Sequence, residues 1–209
     1  MRVLIADDHP VVRQGLKQIL MSDPDVVVSG EARDGDEALD LARRVDWDIA
    51  IIDFSMPGVH GLDLIGEIKR EFPTRPVLVL SMHPEGVHAT RVLKAGGAGY
   101  LNKESAAQEL NTAIKKVASG GKYLSPALSE RLALDLALES RKPPHESLSD
   151  HEYRIMWLLA SGKAIGQIAR EMSLSPSTVS TYRTRILKKL GLSSNAELVR
   201  YAVSHCLVD

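Results

Sequence analysis

The sequence predicts two domains: a doubly wound α/β domain over residues 1–120 and an all-α domain over 147–209, joined by a helical linker at 121–146. Three observations predict it. Five short apolar runs rich in Val and Ile, at 2–6, 26–30, 49–53, 77–81 and 99–101, are each followed by a stretch with helical spacing. Pro143-Pro144 cannot continue a helix. Beyond Ser147 only helical patterns remain.

The first domain follows from the alternation. Strand then helix, five times over, builds a parallel sheet, and strands apolar throughout suit a sheet covered on both faces. The intervening helices show their inward positions at Val12, Leu16, Ile19 and Leu20, at Ala38, Leu41 and Ala42, and at Leu62, Leu64, Ile65 and Ile68. The last two are marked by Val87, Val92 and Leu93, then by Leu110, Ile114 and Val117. Past Gly120-Gly121, residues 129–140 read as one more helix.

The second domain begins with a capping box, Ser149 with Glu152, heading a helix over 150–161. A second helix covers 165–172. Ser173-Leu174-Ser175 makes a short turn, and Ser175 followed by Pro176 starts a third helix that runs to Leu190 and stops at Gly191. A fourth covers 195–205. Helices two and three have the spacing of a helix-turn-helix.

Bulk composition excludes several classes. Hydrophobic residues make up 44% and charged residues 25%, as in ordinary globular chains. Cys206 is the single cysteine, so neither a disulfide framework nor a Cys-rich zinc site is available. No run approaches the roughly 20 apolar residues of a membrane span. The start, MRVLIADDHP, does not read as a signal peptide, and a cytoplasmic location is expected. Net charge is -1, but residues 1–119 carry 14 basic and 18 acidic side chains while 147–209 carry eight and five. An acidic front and a basic tail fit a regulatory domain joined to a nucleic-acid binder.

In doubly wound sheets ligands bind at the carboxyl ends of the strands. Asp7 and Asp8 follow the first strand, Asp53 and Ser81 end the third and fourth, and Lys103 lies past the fifth. Three crowded carboxylates need a cation, and oxygen-only donors favour a hard one, best Mg²⁺. A carboxylate beside a metal and a lysine can act as nucleophile and form an acyl phosphate, while Ser81 hydrogen-bonds a phosphoryl oxygen. The histidines are scattered without metal-ligand spacing, and His9 and His83 read as rim residues.

These residues resemble a receiver domain. The match rests on the acidic pair, on Asp53-Phe54-Ser55-Met56-Pro57-Gly58 with Gly61, on Ser81, and on Tyr100-Leu101-Asn102-Lys103. The resemblance implies a flavodoxin-like (βα)5 fold with Asp53 as phosphoacceptor. It implies Mg²⁺ on Asp8 and Asp53 directly, on Asp7 through water, and on the Ser55 carbonyl, with Tyr100 as a switch that rotates inward when Ser81 engages the phosphate. Glu104 departs from the proline common after that lysine.

The third helix of the second domain carries no acidic residue. Ser180, Thr181 and Thr184 are expected to face base edges, and Arg183, Arg185, Lys188 and Lys189 phosphates or the groove wall. Leu148-Ser149-Asp150-His151-Glu152, Ile168-Ala169, Ser175 to Arg183 and Lys189-Leu190-Gly191 resemble a LuxR-type DNA-binding domain. Both halves together resemble the NarL/FixJ response regulators, near the BvgA/UvrY/GacA-like branch. That implies a two-component transcription regulator phosphorylated by a sensor histidine kinase or phosphotransfer protein. It also implies binding to double-stranded promoter DNA as a homodimer, with helix 195–205 (apolar at Ala196, Leu198, Val199 and Ala202) as the dimer surface. Trp47 and Trp157 are read as core residues. The expected chemistry is self-directed phosphoryl transfer, not turnover. An Asp-nucleophile phosphatase needs a second Asp where Ser55 stands. A phosphorylation-independent regulator is the remaining alternative, which intact Asp53 and Lys103 argue against.

Overall fold

The computed structural model describes residues 1–59, 61–82, 86–126, 128–130, 143–205 and 207–208. The chain divides into two compact units, Met1–Leu132 and Ala133–Asp209.

In the first unit five parallel strands run in the order β2-β1-β3-β4-β5. They are β1 Arg2–Ala6, β2 Val27–Ala32, β3 Ile49–Asp53, β4 Val77–Ser81 and β5 Gly99–Asn102. Between and after them come α1 Pro10–Leu20, α2 Gly35–Arg44, α3 Gly61–Glu71, α4 Gly86–Lys94 and α5 Ala106–Ala118. Side chains alternate between two cores, as a strand's period of two requires. Leu4, Ala50, Ile52, Val77 and Val79 face one core with Ala38, Ala42, Leu64, Ile65, Ile68 and Val92. Val3, Ile5, Ile49, Ile51, Leu78 and Leu80 face the other with Leu16, Leu20, Leu110, Ile114 and Val117.

Strand order reverses between β1 and β3, which opens a crevice at their carboxyl ends. Strands 1, 3 and 4 have the predicted bounds, but β2 runs two residues past the predicted Gly30. Its pairing with β1 continues to Ala6–Ala32, so ladder hydrogen bonds rather than hydrophobicity set its length. Trp47 is buried in the core and donates to the Ala42 carbonyl at 3.0 Å.

The segment after α5 packs on the same sheet. Tyr123 forms an isolated parallel bridge with Gly99, and Leu128 is buried in the core that holds Tyr100. The helix predicted at 129–140 lies mostly outside the described residues.

Among the described residues the second unit has a 3-10 turn, Pro144–Ser147, followed by α6 Asp150–Ala160, α7 Ile165–Glu171, α8 Pro176–Leu190 and α9 Asn195–Ser204. α6 is the central element and packs against the other three. Trp157 on it is only half-buried, so the core role read for it holds in part. Gly191, at φ 69°, takes the left-handed conformation that ends α8. Among the described residues no helix is long and apolar enough to cross a membrane.

The capping box at the head of α6 forms in both directions. The Glu152 N–H donates to Ser149 Oγ at 3.2 Å, and the Ser149 N–H to Glu152 Oε2 at 2.8 Å. Lys189 Nζ on α8 also donates to Glu152 Oε2, at 2.6 Å. Burial pushes the Glu152 carboxyl up, but Lys189 and Ser149 together outweigh it and hold it below the usual range. A depressed carboxylate stabilises the fold above its ordinary value, near pH 4.3, and loses that contribution as pH falls through the folded value. Glu152→Gln is therefore expected to cost about 1–2 kcal/mol at pH 7, with the difference fading under acid. Urea melts at pH 7 and pH 3.5 check it, and equal differences at both would contradict it.

Candidate functional site

Four strand ends converge on the crevice. Asp7, Asp53 and Ser81 are each at most 2% exposed. Lys103 reaches between two of them, its Nζ 2.8 Å from Asp7 Oδ2 and 2.9 Å from Asp53 Oδ2. Its own N–H donates to the Ser81 carbonyl at 2.9 Å, so the β4–β5 pairing itself carries the lysine into the pocket. The Ser55 N–H donates to Asp53 Oδ1 at 3.2 Å, which starts the β3–α3 loop against that carboxylate. That loop seats on the start of α2. A Cβ on Gly35 would lie 2.2 Å from the Val59 carbonyl oxygen, so no larger residue fits there.

Burial pushes the Asp53 carboxyl up, Lys103 pulls it down, and Asp7 adds repulsion; the net direction is up. Burial pulls Lys103 down, but its contacts with Asp7 and Asp53 outweigh that and hold it above the usual lysine value. The two shifts are consistent, because one lysine serves two carboxylates: it gains from both, while each acid has only a share of it.

Ligand atoms of Asp7, Asp8, His9 and Asp53 all lie within 4.8 Å of one another. Asp7 Oδ2 and Asp8 Oδ1 are buried yet accept no well-formed hydrogen bond. Lys103 Nζ lies beside the first, and His9 Nδ1 lies 2.8 Å from the second. Oxygen atoms poor in hydrogen bonds, in a cluster more acidic than basic, suit a small hard cation. From the sequence His9 is expected only at the rim. Its side chain is indeed 65% exposed, but it touches the acidic pair. Tyr100 is fully buried, so its ring already occupies the inward position, and its N–H donates to the Tyr123 carbonyl at 3.1 Å.

In the second unit α8 buries Val179, Ile186, Leu187 and Leu190 and leaves Ser180, Thr181, Thr184, Arg185, Lys188 and Lys189 exposed. The hydroxyls of Ser180, Thr181 and Thr184 donate to carbonyls four residues back, at 2.9, 3.0 and 3.1 Å. Their lone pairs remain available as acceptors. Arg183 is half-buried, with Nε donating to Asn195 Oδ1 at 2.6 Å. Lys189 pairs with Glu152 as described, so among the described residues Arg185 and Lys188 are the α8 cations left facing solvent without an ion pair. On α9 the apolar surface differs from expectation. Leu198 and Ala202 are fully buried in their own domain, because a domain this small needs them as core. Ala196, Val199 and Val203 form the exposed stripe instead.

Comparison with known proteins agrees with both halves. Residues 3–115 match the response regulator receiver domain, and residues 146–202 match the bacterial regulatory proteins of the luxR family. Response regulator UvrY of Escherichia coli K12 is 36% identical over 208 residues, covering 99% of this chain and 95% of its own. Response regulator GacA of Pseudomonas aeruginosa is 36% identical over 209 residues, covering 100% and 98%. A structure of the Salmonella typhimurium RcsB response regulator superimposes with a TM-score of 0.80 at 30% identity, covering 99% of this chain and 98% of that one. RcsB bound to promoter P1flhDC with the phosphomimetic BeF3- gives 0.77 at 29% identity, covering 98% of each. This chain belongs to the bacterial response regulators that join a receiver domain to a LuxR-type DNA-binding domain.

Proposed function

We propose that Asp53 accepts a phosphoryl group from the phospho-histidine of a sensor histidine kinase or phosphotransfer protein in the cytoplasm. Phosphorylation then controls binding of the C-terminal domain, as a homodimer, to double-stranded promoter DNA. The observation that carries this is the Lys103 ammonium set between two buried carboxylates, Asp7 and Asp53, at one topological switch point. An Asp53 oxygen attacks phosphorus, the P–N bond of the donor breaks, and its electron pair leaves with the imidazole. Lys103 and the Ser81 hydroxyl meet the charge spread over the phosphoryl oxygens. Asp7, Asp8, Asp53 and the Ser55 carbonyl would hold Mg²⁺. When bound, the ion neutralises charge on the transferring group. The chemistry is one transfer onto the protein itself, not substrate turnover.

The test is incubation with acetyl phosphate and Mg²⁺, then intact mass and peptide mapping. One phosphoryl group on the peptide containing Asp53 is expected. Stable labelling of another residue contradicts the assignment.

A phosphoryl group adds about -1.5 to -2 charges. It draws on Ser81 and Lys103, and β5, which carries Tyr100 with its ring already inward, shifts with the lysine. Because Tyr100 donates to Tyr123, the first residues after α5 move with it. Phosphorylation is expected to change amide exchange in residues 82–105 and 120–146. Unchanged exchange in both stretches rules out this route.

On DNA, α8 enters the major groove with its N-terminal half toward the bases. Lys188 lies seven residues beyond Thr181, about 10 Å further along the helix, and reaches phosphates. Lys188→Ala is expected to weaken binding to all sequences alike and to lower the salt slope by about one. Thr181→Ala is expected to change operator preference. Salt titrations on specific and random DNA check both; a Lys188→Ala change in preference with an intact salt slope contradicts the placement.

A further inference from the structure

The acidic pocket is held from behind by a residue that takes no part in the chemistry. Arg13 lies in α1, one turn inside the helix, with its side chain only 18% exposed. Its Nη1 donates to the backbone carbonyl of Asp7 at 2.6 Å. That carbonyl belongs to the peptide between Asp7 and Asp8, the two residues whose buried oxygens lack a well-formed hydrogen bond. We infer that Arg13 is a positioning residue: it fixes the Asp7–Asp8 peptide so that both carboxylates are aimed at the cation before the cation arrives.

Two further polar groups of Asp7 are tied as well. Its N–H donates to the Ala32 carbonyl at 3.1 Å, and its Oδ1 accepts from the His9 N–H at 2.9 Å. The Arg13 bond supplies the remaining restraint, on the carbonyl side. With that peptide plane set, the Asp8 side chain has fewer directions open to it. Loose, the pair would spread under its own repulsion and present a poorer site.

Arg13 is itself braced. Glu31 on β2 places Oε2 3.8 Å from Arg13 Nε, while its Oε1 takes Lys17 Nζ at 2.8 Å. A planar guanidinium can serve the carbonyl and face the carboxylate at once; a lysine ammonium on a shorter reach cannot. The α1 N-terminus adds no competing cap here, because His9 makes no side-chain capping bond.

The inference rests on the Mg²⁺ site proposed above, and its test has a sign that separates geometry from charge. Arg13 is a cation near a cation site. If it acted only through its charge, removing it would relieve repulsion and tighten Mg²⁺. If it acts by positioning, removing it loosens Mg²⁺. Isothermal titration of the full-length chain with MgCl2, without phosphodonor, reads this directly. Arg13→Met is expected to weaken Mg²⁺ about tenfold, as loss of a group orienting a ligand does. Arg13→Lys, which keeps the charge, is expected to weaken it in the same direction by less.

With acetyl phosphate, the Mg²⁺ concentration at half-maximal rate rises for both variants, while the rate at saturating Mg²⁺ stays unchanged. Should Arg13→Met fold poorly, the charge-conserving Arg13→Lys decides alone. Unchanged or tighter Mg²⁺ binding in the folded variant overturns the inference while leaving the pocket's function intact. Absence of Mg²⁺ binding in the wild type overturns the pocket assignment, and this inference with it.

Discussion

Lys103→Ala is expected to be the most damaging single substitution in the receiver. It leaves Asp7 and Asp53 buried, with side chains 1% and 3% exposed, and without their shared cation. Removing one member of a buried charged cluster typically costs 3–5 kcal/mol, and about 3 kcal/mol is expected here in metal-free buffer. Lys103 is held above its ordinary value, so its contribution is fully present below about pH 10.4 and is lost only as pH rises through the folded value. Mg²⁺ should recover part of the loss, since it can neutralise the same carboxylates. Phosphoryl transfer should slow by about 100-fold or more, because the cation that meets the phosphoryl charge is gone. Denaturant melts with and without Mg²⁺, alongside the rate with acetyl phosphate, measure both. A stable variant phosphorylated at the normal rate would refute the role assigned to the lysine.

Asp53→Asn is expected to act in two opposite directions. It abolishes phosphoryl uptake, since an amide oxygen cannot form the acyl phosphate. It is also expected to stabilise the metal-free protein. The reason is charge balance: one lysine is left facing one aspartate. Because the Asp53 carboxyl is pushed up in the folded state, its ionisation costs stability. That cost is full at pH values above the folded value and absent below about pH 3.9, the ordinary aspartate value. The variant's advantage should therefore be seen at pH 7 and vanish under acid, and added Mg²⁺ should shrink or reverse it. Thermal melts across pH, with EDTA or Mg²⁺, check the sign. A destabilised Asp53→Asn protein in EDTA contradicts the electrostatic account of the pocket.

What the sequence made legible depended on how local the cause was. Asp53 and Ser81 stand at strand ends because an apolar run stops there, and both bounds match. The caps at Ser149 and Ser175 were legible because a cap is written within four residues. The end of β2 was not, since Ser29-Gly30-Glu31 is held in the sheet by β1 rather than by its own hydrophobicity. The Lys189–Glu152 pair spans 37 residues, and no helix pattern announces it. Leu198 looked available for a partner chain because a wheel shows an apolar stripe but not which neighbour covers it. Arg13 gave no signal at all: one arginine on an amphipathic helix reads as surface until its guanidinium is seen on the Asp7 carbonyl.

The central claim is that one phosphoryl group on Asp53 governs DNA binding by a domain at the other end of the chain. The most direct test follows one sample through both events. Full-length protein is treated with acetyl phosphate and Mg²⁺, its phosphorylated fraction is read by intact mass, and its affinity for operator DNA is measured at fixed salt. Affinity is expected to change in step with the phosphorylated fraction, by about 5- to 150-fold, the range of ordinary coupling energies, and not at all for Asp53→Asn. Full phosphorylation with unchanged operator affinity, or an equal change in the Asp53→Asn protein, would contradict the account.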